Sequence, residues 1–403
     1  MPSEFARHWT LDPDVIFLNH GSFGATPRPV LDAQSAWRER MEREPVAFFA
    51  RDLEAAADRV RATLGGLVGA DPDDLALVPN ATAAIATVLR SLELVPGDEL
   101  LTTDHAYNAA RNALAHAAER SGAKLVVAAV PFPGTTPGNV TDRLLDAVTP
   151  RTRLVLIDHV TSPTALVLPV AAIVAALRER GIDALVDGAH APGMIDVDVD
   201  GIGAAYYAGN CHKWLCAPKG AGFLHVRRDR QADIRPLAIS HGATSPRTDR
   251  SRFRLESDWT GTADPSAHLS IPAAAQFGAS LLDGGWPALK SRNRDLALRG
   301  RGLLCAALGI ESPAPDEMVG SMASIPLPPA THAPPDDDGT TDDPLHAALL
   351  ASGIQVAVAP WPQRPPGDRP WRRLVRLSAA AYVAIEDFER LVERLPAAMA
   401  AAV

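Results

Sequence analysis

The sequence predicts an α/β fold: a large domain with a seven-stranded, mostly parallel sheet, followed by a smaller α+β domain. Three observations support this. Apolar, β-branched runs alternate with segments of helical spacing between about residues 75 and 226, the pattern of crossover units. After residue 265 helices come first and short strands follow. The chain has 403 residues, 47% of them apolar, which is enough to build two domains with cores.

The large domain is predicted from seven strands and the helices around them. Two helices, at 30–41 and 53–67, precede the sheet, and three glycines between 65 and 69 act as stop signals for the second. The strands are short apolar runs at 75–78, 99–103, 124–130, 154–158, 183–187, 204–208 and 222–226. Because helical segments separate many of these runs, most neighbouring strands should be parallel, with both faces of the sheet covered.

The remaining chain predicts the smaller α+β domain. Helical spacing occurs at 271–282 and 295–308, strand-like runs at 322–327, 356–359 and 373–377, and a last helix at 385–395. Segment 328–344 is rich in Pro, Gly and Asp, which predicts a mobile surface loop, and a second Pro-rich stretch lies at 360–370. We therefore divide the chain into an N-terminal segment (1–30), a large domain (31–265) and a small domain (266–403).

Composition and charge argue against several classes of protein. The formal net charge is -9 and no block of five or more basic residues occurs, which argues against a surface for nucleic acid or anionic membrane. No run approaches the ~18 apolar residues of a membrane span. The three cysteines lack a CxxC pair and the histidines lack metal-ligand spacing, so neither disulfides nor a metal site is indicated. We expect a soluble, cytoplasmic protein that acts on small molecules.

Two residues give the strongest chemical signal. Asp187 ends an apolar strand, which places it at the carboxyl edge of the sheet, where open α/β folds bind ligands. Lys213 is one of only four lysines among 39 basic residues, which suggests that its amine itself is needed. Pyridoxal phosphate requires such a pair, a lysine for a Schiff base and a carboxylate beside the ring nitrogen. A strand-end cap and a solvated lysine are the alternative interpretation.

Residues 80–82 predict a phosphate site. Here a strand runs through a cap-type residue into an amphipathic helix, whose free backbone N–H groups and the Thr82 hydroxyl suit an anion. An ordinary N-cap at Asn80 is the alternative. No GxGxxG pattern follows a strand and no P-loop occurs, so hydride chemistry on a nucleotide is not indicated.

Seven segments in chain order resemble one family. They are 17–27 (FLNHGSFGATP), 80–82 (NAT), 103–108 (TDHAYN), 187–193 (DGAHAPG), 209–214 (GNCHKW), 259–264 (WTGTAD) and 375–378 (VRLS). Together they resemble the class V aminotransferase type of fold type I pyridoxal-phosphate enzymes, over about residues 15–395. Within that superfamily they are most similar to the isopenicillin N epimerase-like branch, which also includes proteins labelled cysteine desulfhydrases and C–S lyases.

The resemblance implies roles for the cofactor-binding residues. Lys213 would hold pyridoxal phosphate as a Schiff base and later move the Cα proton, and Asp187 would pair with the pyridinium nitrogen. His190 would reach the ring hydroxyl, with Ser162 nearby. The phosphate would be bound by Ala81, Thr82, Asn210 and His212, and by Thr262 from the neighbouring subunit. That last role implies a homodimer with shared active sites.

The resemblance also implies residues around the substrate. Arg376 would grip the α-carboxylate, which suits its planar fork of donors. Either His105 or Tyr107 would stack on the cofactor ring. The N-terminal segment would line the substrate entrance through Asn19, His20 and Ser22. For His20, capping of a turn is an equal alternative.

The expected reaction begins with removal of the α-proton of an amino acid, or of the amino-acid end of a small peptide. Epimerisation or C–S lyase chemistry is favoured over transamination because the resemblance is to that branch. An epimerase needs a second acid/base opposite Lys213, and His105, Tyr107 and His241 all remain open. Residues 345–375 contain no cysteine, which disfavours persulfide transfer. A non-catalytic pyridoxal-phosphate binding protein is the alternative of another class, and the retained lysine and arginine argue against it.

Overall fold

A computed structural model describes residues 3–328, 343–362 and 372–402. Its strands are β1 (Ile16–Phe17), β2 (Leu75–Val78), β3 (Glu99–Thr103), β4 (Lys124–Ala128), β5 (Thr152–Asp158), β6 (Asp183–Gly188), β7 (Tyr206–Asn210), β8 (Gly222–Val226), β9 (Met322–Pro326), β10 (Ile354–Gln355), β11 (Ala357–Trp361) and β12 (Arg372–Ser378). Its α-helices are α1 (His20–Phe23), α2 (Arg28–Arg43), α3 (Pro45–Ala47), α4 (Leu53–Val68), α5 (Ala81–Ser91), α6 (Asn108–Ser121), α7 (Pro137–Asp146), α8 (Val170–Glu179), α9 (Val199–Ile202), α10 (Arg252–Ser257), α11 (Ser266–Leu269), α12 (Ile271–Ser280), α13 (Gly285–Leu308), α14 (Pro344–Ala351) and α15 (Ile385–Ala401).

Seven strands form the large sheet, in the order β2–β8–β7–β6–β5–β3–β4. β8 is antiparallel to both of its neighbours, and the other pairs are parallel. The predicted α/β fold with a seven-stranded, mostly parallel sheet is confirmed. The predicted strand at 204–208 lies two residues later, and the edge strand predicted at 124–130 ends at Ala128, before Pro131.

Helices cover both faces of this sheet. Along β5, Leu154 and Leu156 join the apolar cluster that includes α5 and α6, whereas Val155 and Ile157 join the cluster that includes α4 and α8. A strand buried on both faces needs apolar residues at every interior position, so its polar residues are confined to the ends. For β5 that polar end is Asp158, at the carboxyl edge.

The small domain contains a three-stranded antiparallel sheet in the order β11–β12–β9, packed against α13. The N-terminal segment belongs to its packing. β1 pairs in parallel with β10, and Phe5, Trp9 and Leu18 share one apolar cluster with Phe388 of α15. The first residues of the chain and the last helix are therefore held in one core.

Two helices that follow the predicted division at residue 265 pack on the large domain. α11 and α12, which the sequence places in the small domain, pack on α2 and α4, and Ile271 and Ala274 belong to the core of the large domain. α13 begins at Gly285, ten residues before the predicted start. Most of the two Pro-rich stretches, 329–342 and 363–371, lies outside the described residues. No helix in the described parts of the chain is long and apolar enough to cross a membrane.

Candidate active site

Three polar side chains lie at the carboxyl ends of neighbouring strands of the large sheet. Asp158 ends β5, Asp187 lies one residue before the end of β6, and Asn210 ends β7. Asp158 and Asp187 are register partners, and Asp187 pairs in turn with Ala208 of β7. Parallel strands bring these ends to one edge, which is where open α/β sheets place their ligands.

Lys213 reaches this edge from the loop between β7 and β8. Its Nζ lies 3.1 Å from His190 Nε2, and Trp214 Nε1 donates to His190 Nδ1 at 3.4 Å. Because Nδ1 accepts a hydrogen bond, we assign the proton of the neutral ring to Nε2, which then donates to an uncharged lysine amine. Burial, and then the charge of Arg376, lower the pKa of Lys213 to about 7, although Asp187 and Asp158 raise it. The amine can therefore act as a nucleophile or base near neutral pH.

The N-terminal segment contacts the backbone of the loop that carries Lys213, here called the lysine loop. His20 Nε2 donates to the carbonyl of Lys213 at 2.9 Å, and its Nδ1 lies 2.8 Å from the Tyr382 hydroxyl. Gly24 has φ +71, and a Cβ there would lie 2.0 Å from the carbonyl oxygen of His212. Burial lowers the pKa of His20 to about 4, so the ring is neutral. His20 is thus a buried support of the lysine loop rather than part of an open entrance.

Asp187 is a buried carboxyl, 3% exposed. Its Oδ1 accepts a hydrogen bond from the backbone N–H of Ala189 at 3.0 Å. Burial raises the pKa of Asp187, whereas that N–H and the charge of Lys213 lower it. A carboxylate so placed would be stabilised further by a cation that enters the site.

The start of α5 lies beside the end of β7. Asn80 caps the helix by accepting from the Ala83 N–H at 2.9 Å, and Asn210 Oδ1 accepts from the Ala81 N–H at 2.8 Å. The Thr82 side chain is exposed at this helix start. The backbone N–H of Ala81 is therefore already bonded to Asn210. Thr82 supplies the hydroxyl that the sequence predicts for binding an anion.

His212 and Thr262, the other residues expected at the phosphate, lie in different settings. The Nδ1 of His212 donates to the Ala221 carbonyl at 3.2 Å, and burial lowers the pKa of His212 to about 4. Thr262 is exposed in the segment between α10 and α11.

Arg376 of β12 brings the small domain into the site. Its guanidinium donates to the carbonyl and hydroxyl of Ser162 at 2.8 and 3.0 Å, to Asn19 Oδ1 at 3.3 Å and to Ser22 Oγ at 2.9 Å. Within the described residues, no carboxylate lies within ion-pair distance of Arg376, and its Nε has no hydrogen-bond partner. Burial lowers the pKa of Arg376 to about 10. The arginine is therefore a buried cation surrounded by neutral oxygens.

His105 and Tyr107 follow β3 but differ sharply in environment. His105 is buried, with Nε2 donating to the Val130 carbonyl at 3.0 Å and Nδ1 lying 2.6 Å from the Thr164 hydroxyl. Burial lowers the pKa of His105 to about 4. Tyr107 is 45% exposed and close enough to Arg376 that its negative charge, when ionised, would raise the pKa of that arginine. Of the two residues, only Tyr107 is therefore exposed to solvent.

The structure adds residues that the sequence did not single out. Thr164 bonds to His105 and also lies 2.8 Å from Thr161, and the Trp361 ring lies 4.4 Å from the His105 ring between centroids. Tyr382 supports His20. An aromatic or hydroxyl residue in a loop is common, so none of these positions was distinguishable by residue type alone. His241, the remaining candidate base, is exposed in a short 3-10 helix.

These residues fit pyridoxal phosphate. Lys213 supplies an uncharged amine, Asp187 a buried carboxylate for a ring nitrogen, and Thr82 a hydroxyl at a helix start for a phosphate. Asp187 accepts the Ala189 N–H and forms no ion pair within the described residues, and Oδ2 of the neighbouring Asp158 has no hydrogen-bond partner there. A cationic ring nitrogen would meet the charge of Asp187, and a carboxylate ligand would meet Arg376.

The chain is similar to known proteins over nearly its whole length. The family model for aminotransferase class-V matches residues 16–391. The chain is 36% identical to isopenicillin N epimerase of Streptomyces clavuligerus, covering 96% of each protein. It is 31% identical to a probable chloroplastic L-cysteine desulfhydrase of Arabidopsis thaliana, covering 96% of this chain and 83% of that protein.

Solved structures share the fold. A cysteine desulfurase from Escherichia coli superposes with a TM-score of 0.78 at 20% identity, covering 99% of this chain and 98% of that one. A cystine C–S lyase in complex with cysteine persulfide superposes with a TM-score of 0.75 at 23% identity, covering 95% and 97%. The chain therefore belongs to the aminotransferase class-V family and is a pyridoxal-phosphate enzyme of the epimerase-like or C–S lyase-like kind.

Proposed function

We propose that this enzyme removes the α-proton of an amino acid, or of the amino-acid end of a small peptide, and then epimerises that carbon or eliminates a sulfur substituent from the β-carbon. The observation that supports it best is the pairing of Lys213 with Arg376 across the two domains. The first is an amine whose pKa is lowered, and the second is a buried cation that pairs with no carboxylate in the described parts of the chain. Together they match the two ends of an α-amino acid.

Arg376 orients the substrate in this proposal. Asn19 and Ser22 hold one guanidinium nitrogen and Ser162 holds the other, so the fork is fixed before the substrate arrives. A preorganised bidentate donor loses little side-chain entropy when it binds a carboxylate. Because the arginine is buried, the charge pair formed with the substrate is only weakly screened by water.

Lys213 moves the proton. When bound, pyridoxal phosphate supplies an aldehyde for amines and an electron-poor ring that stabilises negative charge at Cα. Lys213 would hold the cofactor through Nζ, and the same nitrogen, once freed, would accept the α-proton of the substrate. His190 is hydrogen-bonded to that nitrogen and keeps the amine oriented. Because the pKa of His190 is lowered, its ring is neutral and adds no positive charge that would oppose protonation of Lys213. Asp187 would supply the counter-charge for the ring nitrogen.

For epimerisation a second acid/base is needed, and we propose Tyr107. Both ring nitrogens of His105 are engaged by Val130 and Thr164, which suits a wall of the cofactor pocket better than proton transfer. Tyr107 is half exposed and lies near Arg376, where the substrate carboxylate would bind.

We also propose that the enzyme is a homodimer in which the exposed Thr262 reaches the partner's phosphate site.

The test combines absorption spectra with product analysis. Purified protein with pyridoxal phosphate is mixed with a panel of L-amino acids that includes cysteine and cystine, in deuterated water, and pyruvate and α-deuterium are measured. Lys213→Ala is the control for the visible band and for turnover, and Tyr107→Phe tests the second acid/base.

We expect one amino acid to shift the visible band and to exchange its α-proton, and Lys213→Ala to lose both the lysine-bound absorbance and turnover. Pyruvate release identifies elimination, whereas deuterium in both stereoisomers identifies epimerisation. In the epimerising case, Tyr107→Phe should keep exchange with retention and lose inversion. Full turnover in Lys213→Ala would contradict the proposed mechanism, and formation of a keto acid with transfer of the amino group would show transamination instead.

A further inference from the structure

Asp158 lies beside Asp187 at the carboxyl edge of the sheet, yet no role described so far uses it. The two residues are register partners on β5 and β6. In-register residues of neighbouring parallel strands point to the same face of a sheet, with the strands about 4.8 Å apart. Both side chains are buried, at 2% and 3% exposure. Two like charges so close and so poorly hydrated repel strongly, so the pair retains a proton.

The surroundings decide which carboxyl keeps that proton. Asp187 accepts the Ala189 N–H, a hydrogen bond that stabilises its ionised form. Asp158 has a buried Oδ2 that bonds to no atom in the described parts of the chain. Burial, and then the charge of Asp187, raise the pKa of Asp158 well above its ordinary value, whereas the Tyr107 N–H and the charge of Lys213 lower it. Asp187, Lys213 and Tyr107 are the groups that face Asp158 from the neighbouring elements.

We propose that Asp158 is a positioning residue: a protonated carboxylic acid that leaves Asp187 as the single negative charge of the pair, opposite the cofactor's ring nitrogen. The inference rests on the proposed placement of the cofactor between Lys213 and Asp187. A protonated carboxyl offers a hydrogen-bond donor at Oδ2 without adding a second negative charge. Asp158 thereby stabilises the ionised form of Asp187 and keeps the ring nitrogen protonated over a wider pH range.

Two substitutions separate the proton from the shape of the side chain. Asp158→Asn keeps a neutral hydrogen-bond donor of nearly the same shape, whereas Asp158→Leu keeps the bulk and removes the donor. Thr103→Val is the matched control, because Thr103 Oγ1 is likewise buried at a strand end and bonds to no described residue. For each protein, the dissociation constant of pyridoxal phosphate is measured by absorbance, together with the pH midpoint of the bound cofactor's visible transition.

We expect Asp158→Asn to bind pyridoxal phosphate within about threefold of the unmodified protein. We expect Asp158→Leu to bind at least about tenfold more weakly, because leucine leaves the charge of Asp187 without a hydrogen-bond donor beside it. The leucine variant should also shift the visible transition, and Thr103→Val should change neither quantity. If the asparagine variant loses as much as the leucine variant, Asp158 acts as a carboxylate and the proposal is wrong. Unchanged affinity and midpoint in Asp158→Leu would also overturn it.

A second measurement needs no cofactor. Because the pKa of Asp158 is raised on folding, its contribution to stability is present below the ordinary carboxyl pKa of 3.8 and is lost as the pH rises through the raised value. The thermal midpoint of the cofactor-free protein should therefore fall, relative to that of Asp158→Asn, as the pH rises above 3.8. Parallel curves would overturn the proposal. Failure of the unmodified protein to bind pyridoxal phosphate would instead contradict the proposed function, while this thermal comparison would still report on Asp158.

Discussion

Two buried arginine sites in this molecule are built in opposite ways. Arg61 and Arg254, 1% and 3% exposed, lie among the carboxylates of Asp58 and Asp258. Arg376 is 6% exposed, and its described partners are neutral oxygens. A buried charge without a counter-charge is costly. The first site is closed by the protein's own carboxylates, whereas the second leaves a positive charge for an anionic ligand.

The largest expected effect is on the stability of the closed site. Arg61 also donates to the Leu75 carbonyl at 3.0 Å, which ties α4 to β2. Arg61→Met should lower the free energy of unfolding by about 3 kcal/mol, the lower end for a broken buried pair, because Arg250 and Arg254 still face Asp258. Chemical denaturation measures this. Turnover per folded molecule should be unchanged, and a protein of unmodified stability would show that the cluster is energetically neutral.

The open site should respond in the reverse way. Arg376→Gln should lower kcat/KM for carboxylate substrates roughly 30-fold or more, because the charged partner of the carboxylate is lost. This corresponds to a loss of about 2 kcal/mol of transition-state stabilisation. Stability should change little, since a neutral amide still faces Ser162 and Asn19. Steady-state kinetics and a denaturation curve on the same sample give both numbers. Arg372→Gln, at an exposed position on the same strand, is the matched control and should alter neither. Unaltered kinetics in Arg376→Gln would remove its role in carboxylate binding.

The smallest expected effect is on the pH dependence of Lys213, which the charge of Arg376 influences. Since the pKa of Lys213 is lowered from 10.5 to about 7, the cofactor-free protein should capture pyridoxal phosphate faster as the pH rises through 7 and then level off. It should also gain stability from pH 7 toward 10.5, because the unfolded chain binds this proton more tightly. Arg376→Gln should move the midpoint of the capture rate upward, because the arginine's charge is the second cause of the shift. A pH-independent capture rate would contradict a lysine tuned in this way.

Much of the fold could be predicted from the sequence because the signals are local. Strand runs such as 154–157 are apolar at every position, and that pattern requires burial on both faces. The start of α13 could not be predicted in the same way. Its first turns contain Pro287 and Lys290, and they are helical because Trp286 and Leu289 pack on the core formed with α12 and the N-terminal segment. Tertiary packing outweighs local preference there.

Within the candidate site, the available chemical groups could be predicted from the sequence: a scarce lysine, an aspartate at a strand end, a helix start with a hydroxyl, and an arginine in a strand. These are properties of residue type and local pattern. The protonation and hydrogen bonding of these groups depend instead on how the chain packs in three dimensions. Burial lowers the pKa of Lys213, the β5–β6 register puts Asp158 beside Asp187, and both nitrogens of His105 are bonded. Desolvation and charge–charge distances depend on residues remote in sequence, so no local pattern encodes them.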